Sequence, residues 1–355
     1  MSKTETSPPV DLVRTVAIVF IIWLHAANEP HQIITLPLMS QAEIWRWWTV
    51  NIYDSFTRIG VPLFVMLTGA LLLQPSKIEP LSVFFRKRFS RIGLPFLFWG
   101  AAYFAYDFLV NHQDFSWNFI VQGILTGPYY HFWYLYMLLG LYLITPVLRI
   151  ILAHAGRQLL KYFALIWLLG IIVVPIPTYF GSYHLDANLL TIPWWVGYFF
   201  VGAYLTKVKI DRSLLYILLT IGCVLTAVGT YLVTFLVGGG MSLFFQDYFS
   251  PTIILASIAF FILLLSFRTR SDQIENSHTK ISWLIHQISQ NTLGIYLFHV
   301  MVLETLNNGF LGFRLSANLL LPAFEVPIVT LVTLFICLGF MIPAKKVPVL
   351  NRLIG

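Results

Sequence analysis

The sequence predicts an all-α, polytopic integral membrane helix bundle of about ten transmembrane helices, with both termini in the cytoplasm. The first observation behind this is composition. Of the 355 residues, 58% are hydrophobic and only 10% are charged, whereas a soluble domain carries about 25% charged residues. The second is a series of apolar runs long enough to cross a bilayer, which takes about 20 residues. The third is the distribution of basic residues between the loops.

The apolar runs follow one another along the whole chain. No internal repeat or separable soluble domain interrupts them, so we expect a single membrane domain over residues 1–355. The apolar stretch 117–125 is too short to span and is predicted to lie at the interface, and the polar stretch 268–286 is predicted to be a loop. The runs cover roughly 10–28, 50–74, 83–110, 131–153, 159–176, 190–206, 213–237, 250–267, 288–307 and 321–343.

The basic residues agree with this topology. With the N-terminus in the cytoplasm, all but three of the 22 Lys and Arg residues fall on or near the cytoplasmic side, and the exceptions are Arg46, Arg58 and Arg314. An excess of Lys and Arg in cytoplasmic loops sets the orientation of membrane proteins. The net charge of +7 is therefore interpreted as topology rather than nucleic-acid binding. The predicted location is the inner or plasma membrane.

The first helix carries a polar stripe of Asp11, Arg14 and His25. Arg14 and His25 are eleven helical steps apart, so they share one face and are separated by about 16 Å along the axis. Ionisable residues inside a membrane are costly and mark functional sites by default. Neutral imidazole can take a proton from a hydroxyl near neutral pH, and Arg14 can orient a bound group or stabilise negative charge. The alternatives are a hydrogen-bonded structural histidine and an arginine that reaches the headgroups while paired with Asp11.

A basic run at 86–91 begins the third predicted helix, and within it Arg88 and Arg91 lie one turn apart. Two guanidinium groups on one face suit bidentate binding of phosphate. The alternative is ordinary positive-inside charge.

Aromatic and polar residues at the outer entry of the fourth run provide a further candidate cluster. His131, Trp133 and Tyr136 combine apolar bodies with polar tips, which suits stacking on a sugar, although aromatic residues at that depth usually form the interfacial belt.

His299 in the ninth run is interpreted as a helix–helix hydrogen bond or a second base. Cys223 and Cys337 lie in apolar segments, and the histidines have no metal-ligand spacing, so no metal is expected.

These residues resemble the membrane-bound acyltransferase-3 family. Its first-helix signature is matched by Asp-Leu-Val-Arg at 11–14, followed after ten residues by His25. The resemblance covers nearly the whole chain and is nearest to small stand-alone O-acetyltransferases that lack an SGNH-type esterase domain. The other matching segments are Gly-Val-Pro-Leu-Phe-Val-Met-Leu-Thr-Gly at 60–69, with Thr68 where serine is common, Arg88-x-x-Arg91, His-Phe-Trp-Tyr-Leu-Tyr at 131–136 and Gly-Ile-Tyr-Leu-Phe-His at 294–299.

The resemblance implies transfer of an acyl group, usually acetyl, from acyl-coenzyme A to a hydroxyl of a carbohydrate or lipid-linked glycan. His25 and Arg14 are then the catalytic candidates, and Arg88, Arg91 and Arg14 the donor-binding candidates. Acyl-coenzyme A is a co-substrate, and the lipid bilayer is the other partner. His25 either deprotonates the acceptor hydroxyl or is itself acylated first, and both routes stay open. The candidate acceptor-binding residues are Asp11, His131, Trp133, Tyr136 and His299.

Two other classes of function are weighed against an acyltransferase. A transporter or flippase would use Arg14 and His25 to bind or relay ions, but no inverted repeat is visible. A non-catalytic membrane scaffold leaves the cost of the polar stripe on the first helix unexplained.

Overall fold

The computed structural model describes residues 9–27, 40–74, 79–173, 194–237, 244–267, 280–310, 312–316 and 321–355. In these ranges the chain forms α-helices, one 3-10 helix at Tyr130–Phe132 and no strand, which confirms the predicted all-α class. The helices are α1 (Val10–Ala27), α2 (Gln41–Thr57), α3 (Gly60–Leu72), α4 (Leu81–Leu109), α5 (Trp117–Thr126), α6 (Trp133–His154), α7 (Arg157–Val173), α8 (Trp194–Leu205), α9 (Arg212–Val237), α10 (Pro251–Ser266), α11 (Lys280–Gln290), α12 (Thr292–Asn308), α13 (Pro322–Ala344) and α14 (Pro348–Leu353).

Several helical stretches are long and apolar enough to cross a membrane, as a polytopic protein requires. Shorter apolar helices at Lys161–Gly170, Trp194–Leu205 and Pro251–Ser266 accompany them. Each of the ten apolar runs overlaps a helix, while the count of ten spans and the side of each terminus stay predictions. The six long stretches in the described chain are Val10–Ala27, Gln41–Leu72, Leu81–Leu109, Trp117–His154, Arg212–Thr234 and Pro322–Ala344.

Helix boundaries differ from the sequence prediction around the second run. α2 begins earlier than residue 50, because the Ser40 side chain accepts a hydrogen bond from the Glu43 backbone and the Glu43 side chain accepts one from the Ser40 backbone. This reciprocal capping box starts a helix that residue hydropathy alone does not reveal. α2 and α3 do not merge, since Pro62 in the first turn of α3 has no backbone N–H to continue the hydrogen-bond ladder.

The stretch 268–286 was predicted as a loop, and this is wrong for its last residues. Residues 280–290 form α11, whereas 268–279 lie outside the described residues. Apolar side chains at Ile281, Leu284 and Ile288 recur at helical spacing among polar ones, and Ile288 is buried. α11 packs against α1 and α13, so this amphipathic segment contributes to the bundle around α1.

α1 lies at the centre of the bundle. It packs against α2, α3, α10, α11, α12 and α13. Its apolar face is completely buried, with Ala17, Ile18 and Ile22 at 0% exposure. Asp11, Arg14 and His25 of the polar stripe are each partly buried, so neighbouring helices cover part of each side chain, as is expected of intramembrane ionisable groups.

α3 and α8 approach each other at glycines. A Cβ atom added to Gly69 would lie 1.7 Å from the Phe199 carbonyl oxygen, and one added to Gly202 would lie 2.0 Å from that of Met66. Small residues let membrane helices pack backbone to backbone. Gly69 and Gly202 therefore permit the close approach of α3 and α8.

Candidate active site

The two ends of the polar stripe on α1 have different surroundings. Arg14 lies in the second turn and His25 in the last turn, about 16 Å apart along the axis. His25 is part-buried beside α12 and the 3-10 helix, where its ring contacts His299 and Tyr130. Arg14 is close enough to interact electrostatically with Arg91 and Tyr142. The stripe thus joins a histidine-rich end to an arginine-rich end.

Asp11 attaches α1 to α11. Its carboxylate accepts a hydrogen bond from Ser289 Oγ at 2.6 Å and lies 2.8 Å from His286 Nδ1. One turn further along, Thr15 Oγ1 donates to the Ile285 carbonyl at 3.0 Å. The Asp11–Arg14 pair considered as an alternative for Arg14 does not form a salt bridge, because the carboxylate is directed to α11, although Asp11 remains close enough to interact electrostatically with Arg14.

His25 and His299 form a hydrogen-bonded pair between α1 and α12. His25 Nδ1 lies 2.7 Å from His299 Nε2. The two rings are nearly parallel, with an interplanar angle of 8° and centroids 5.0 Å apart. His299 is fully buried, and its Nδ1 lies 2.6 Å from the Tyr296 carbonyl oxygen.

The direction of these hydrogen bonds follows from the partners. A carbonyl oxygen only accepts, so Nδ1 of His299 carries the hydrogen, and the Nε2 of neutral His299 is an acceptor. His25 must then donate from Nδ1, which leaves its own Nε2 with the lone pair. This nitrogen makes no hydrogen bond to a described residue. The tautomers are assigned from the network, and the arrangement presents a general base or nucleophile at His25 Nε2.

His131 is the third histidine of this end. It is 1% exposed, and its ring packs edge-on against His299, with centroids 5.5 Å apart, and against Tyr103 at 5.2 Å. Neither ring nitrogen has a hydrogen-bond partner of normal geometry in the described chain, although the Leu297 backbone lies close enough to interact. The backbone carbonyl of His131 accepts a hydrogen bond from Tyr296.

Trp133 and Tyr136 occupy other surroundings. The Trp133 ring packs against Trp195 at 5.5 Å and Tyr248 at 5.8 Å. The Tyr136 hydroxyl bonds to the carbonyl of Ile124 on α5. The structure thus brings His25, His131 and His299 together, and places Trp133 and Tyr136 in contacts outside that cluster.

Three tyrosines also lie near the histidine cluster, and the sequence gives no indication of one of them, Tyr103. Tyr130 packs edge-on against His25 at 5.4 Å, and the Tyr129 hydroxyl donates to Glu304 on α12. Tyr103 on α4 donates to the Leu297 carbonyl at 2.9 Å. The sequence signal for two of them is their position directly before His131. Tyr103 carries no such signal, because only tertiary packing brings α4 to α12.

Asp54 and Arg58 form an ion pair at the end of α2. Arg58 Nε and Nη2 donate to the two carboxylate oxygens at 2.8 and 2.9 Å, and Asp54 is fully buried. The guanidinium also lies over the Tyr248 ring, 5.6 Å from its centroid. Arg58 is close enough to His25 to interact electrostatically, so the histidine end also has a fixed cation.

The other end of the stripe is basic. Arg14 forms no ion pair in the described chain, and Arg91 is exposed. Tyr142 on α6 interacts electrostatically with Arg91, Arg88 and Arg14. Burial and the charge of Arg91 lower the pKa of Lys345. This concentration of positive charge with little compensation is suited to a polyanion.

Arg88 and Arg91 have different charged partners, although both interact electrostatically with Tyr142. Arg88 Nη1 forms an ion pair with Glu79 at 2.6 Å, while Arg91 interacts with Arg14 and Lys345. The two arginines that helical spacing grouped together thus adjoin different charged residues.

A row of aromatic side chains connects the two ends. Tyr134 on α6 interacts electrostatically with Arg14, and its ring lies 5.2 Å from that of Tyr296. The Tyr296 ring lies 5.7 Å from His299. α1, α6 and α12 thus present a continuous line of polar and aromatic groups from the arginines to His25.

No cluster of three His, Cys, Asp or Glu side chains suitable for a metal ion occurs in the part of the chain that the structure describes. The nitrogens of His25 and His299 are in hydrogen-bonding contact at 2.7 Å. Cys223 and Cys337 are both free thiols.

Comparison with known proteins identifies the family of this membrane helix bundle. A family model described as an acyltransferase domain matches residues 9–342. The chain belongs to acyltransferase family 3, and it is a membrane acyltransferase. No curated protein matches the sequence, and no solved structure matches it either.

Proposed function

We propose that the protein is a multi-pass O-acyltransferase of the inner or plasma membrane. It transfers an acyl group, specifically acetyl, from cytoplasmic acyl-coenzyme A to a hydroxyl of a carbohydrate or lipid-linked glycan. The observation that carries this proposal is the His25–His299 pair, whose hydrogen bonds leave Nε2 of His25 as a base without a hydrogen bond to any described residue. A transporter or flippase would use the same pair to bind or relay ions without consuming acyl-coenzyme A.

His25 acts as the base in the simplest scheme. Its Nε2 takes the proton of the acceptor hydroxyl as the oxygen attacks the thioester carbonyl carbon. The carbon–sulfur bond then breaks, and the coenzyme A thiolate takes the proton back from Nε2. His299 holds His25 in the required tautomer by accepting from Nδ1, the role that a buried carboxylate has in a Ser-His-Asp triad.

The same geometry supports a second route through a covalent intermediate. Nε2 of His25 attacks the thioester, and coenzyme A leaves as the thiolate. The acceptor oxygen then takes the acyl group as the carbon–nitrogen bond breaks, and the hydroxyl proton passes to the thiolate or to water. In this route the acceptor does not have to be bound when the donor reacts. Transient label on the protein distinguishes the two routes.

The basic end is proposed to bind the donor. Arg14 and Arg91 have no carboxylate partner among the described residues and suit the phosphates of coenzyme A. The thioester arm then extends past Tyr134 to His25. Because about 16 Å separates Arg14 from His25, Arg14 positions the donor by its phosphates and does not contact the oxyanion. Both chain termini are proposed to lie on this cytoplasmic side.

The acceptor is proposed to bind at the histidine end. Tyr130 presents a ring beside His25, and Glu304 presents a carboxylate bonded to Tyr129. An aromatic face with a neighbouring carboxylate is suited to a sugar ring and its hydroxyls. His131 and His299 border this site, whereas Trp133 and Tyr136 would contact more distant parts of the acceptor. Asp11 supports Arg14 indirectly by attaching α1 to α11.

The test is acyl transfer in proteoliposomes. Acetyl-coenzyme A labelled in the acetyl group is added with a glycolipid extract, and coenzyme A release and label on lipid or protein are measured for wild type and His25→Ala. The matched control is His154→Ala, because His154 is exposed at the end of α6. We expect transfer by wild type and control, and a loss of about 10²-fold or more in His25→Ala.

Each outcome of this experiment has a defined meaning. Full transfer by His25→Ala contradicts the catalytic assignment of His25. Absence of coenzyme A release by the wild-type protein, with passage of an unchanged ligand across the bilayer, contradicts the acyltransferase proposal.

A further inference from the structure

A second cluster of charged side chains lies where the start of α4 meets the end of α6. Glu79 precedes α4 and accepts hydrogen bonds from Lys87 Nζ at 2.9 Å and Arg88 Nη1 at 2.6 Å. Arg149 Nη1 on α6 lies 3.8 Å from the same carboxylate. The hydrogen bond from Lys87, together with the charge of Arg88, holds the pKa of Glu79 below its usual value. One carboxylate thus faces three cations.

Two of these cations are fixed on an aromatic ring. The guanidinium carbons of Arg88 and Arg149 lie 4.2 and 4.9 Å from the centroid of the Phe84 ring, which is 1% exposed. Arg149 Nε also donates to the Leu72 carbonyl at 2.7 Å, one of the free carbonyls at the end of α3. The orientation of both guanidinium groups is therefore set before any ligand arrives.

Glu79 does not supply a hydrogen-bond acceptor for every donor of this cluster. Nη2 of Arg149 is buried and has no hydrogen-bond partner in the described chain. A buried donor without an acceptor is unfavourable, more so when it is charged. The cluster has three cations and one carboxylate, and one of its guanidinium groups is incompletely hydrogen-bonded. It therefore has positive charge and hydrogen-bonding capacity for a second anion.

We propose that Arg88 and Arg149 form a binding site for a phosphomonoester, and that the Glu79 carboxylate occupies this site until the phosphate displaces it. The inference rests on the proposed function, since acyl-coenzyme A carries such a group at its 3′ position, apart from its diphosphate. A phosphomonoester has a charge of about −1.5 to −2 at pH 7 and three acceptor oxygens. It therefore offers more to two guanidinium groups than a carboxylate does.

This assignment divides the arginines between the two phosphate groups of the donor. Arg88 and Arg149 bind the 3′-phosphate, and Arg91 with Arg14 is left for the diphosphate. The position of Tyr142 agrees with this division, because it interacts electrostatically with both sets of arginines. Arg149 was counted only as positive-inside charge in the sequence, since nothing in its local sequence indicates Phe84 or Glu79 as neighbours.

A purely structural ion cluster, which only attaches the segment before α4 to α6, gives a different expectation for Glu79. Removing its charge would then weaken the site and the fold. If Glu79 competes with the phosphate, the isosteric Glu79→Gln change instead improves donor binding.

The experiment compares two donors in proteoliposomes, acetyl-coenzyme A and acetyl-3′-dephospho-coenzyme A. Arg149→Gln is expected to raise KM for acetyl-coenzyme A about tenfold or more, the usual effect of losing a charged hydrogen bond, with little change for the dephospho donor. Glu79→Gln is expected to lower KM for acetyl-coenzyme A several-fold and leave the dephospho donor unaffected. The control is Arg86→Gln, which removes a charge from the same basic run at an exposed position. It should not change the KM for one donor more than the KM for the other.

Equal effects of Arg149→Gln on both donors, or a raised KM for acetyl-coenzyme A in Glu79→Gln, would overturn the inference. An Arg149→Gln effect that requires anionic lipid and is the same for both donors assigns the site to a lipid headgroup, which also overturns it. If Arg149→Gln does not fold, the site is tested by inhibiting acetyl transfer of the wild-type protein with nucleotides. Adenosine 3′,5′-bisphosphate should inhibit more strongly than ADP, and equal inhibition contradicts the site. Failure of the wild-type protein to transfer acetyl from either donor instead contradicts the proposed function.

Discussion

At the scale of single residues, the hydrogen bond between His299 and the Tyr296 carbonyl determines which ring nitrogen of His25 carries the lone pair. The Tyr296 carbonyl fixes the hydrogen on Nδ1 of His299, and that choice propagates through Nε2 of His299 to His25. Two neutral imidazoles in series thus act as one oriented base. His299 is in this view a positioning residue, because it reaches the acceptor hydroxyl only through His25.

A prediction for His299 separates positioning from simple packing. His299→Ala removes the acceptor for His25 Nδ1, so both tautomers of His25 become accessible and kcat should fall by about 10²-fold or more. His299→Gln offers a side-chain oxygen at similar reach and should recover part of the loss. Donor KM should change little, since the arginines lie at the other end of α1. Steady-state kinetics in proteoliposomes measure both constants. Unchanged kcat in His299→Ala, or no difference between the two variants, contradicts the role.

At the scale of helices, close contact between α3 and α8 holds the bundle beside α1. α3 packs on α1 on one side and on α8 on the other. The Gly69 and Gly202 positions leave no room for a side chain, because the obstructing atoms belong to the backbone of the facing helix. Backbone atoms cannot rotate away as a flexible side chain does, so any added volume must separate the helices.

Substitution of Gly69 tests this contact. Gly69→Ala places a methyl group where the Phe199 carbonyl oxygen lies and should destabilise the protein by about 1–3 kcal/mol. The measurement is the midpoint of unfolding in detergent. Gly140→Ala is the matched control, since a Cβ at that helical position meets nothing within 4 Å, and its effect should stay within about 0.5 kcal/mol. Equal midpoints for the two variants would show that α3 and α8 do not need this close approach.

At the scale of the whole molecule, polar and apolar surfaces are arranged for a bilayer. Large apolar side chains are exposed on α13, including Phe324 at 69% and Phe335 at 54%, as is usual where lipid is the solvent. The charged residues of the site are instead gathered around α1. A two-sided site of this kind requires that the arginine end and the histidine end open to opposite faces of the membrane.

Orientation is tested by labelling single cysteines in a background in which Cys223 and Cys337 are replaced by alanine. Asp114→Cys lies in the exposed segment between α4 and α5, and Gly156→Cys lies in the exposed turn between α6 and α7. The charge distribution predicts that a membrane-impermeant maleimide labels the first in intact cells and the second only after permeabilisation. The reverse pattern would invert the topology and place the arginines proposed to bind the donor on the wrong side for coenzyme A.

The sequence by itself determined the helical class, the position of the apolar helices and the family signature on α1. It could do so because a chain in lipid must satisfy its backbone hydrogen bonds within each helix, so hydropathy and local spacing carry the information. Three-dimensional packing was needed to reveal the hydrogen bond of His25 to His299, those of Asp11 to α11, and the approach of Arg88 and Arg149 to the same Glu79 carboxylate. These pairs come from helices distant in sequence, and hydrogen-bond direction and electrostatic partners depend on three-dimensional contact that no local pattern encodes.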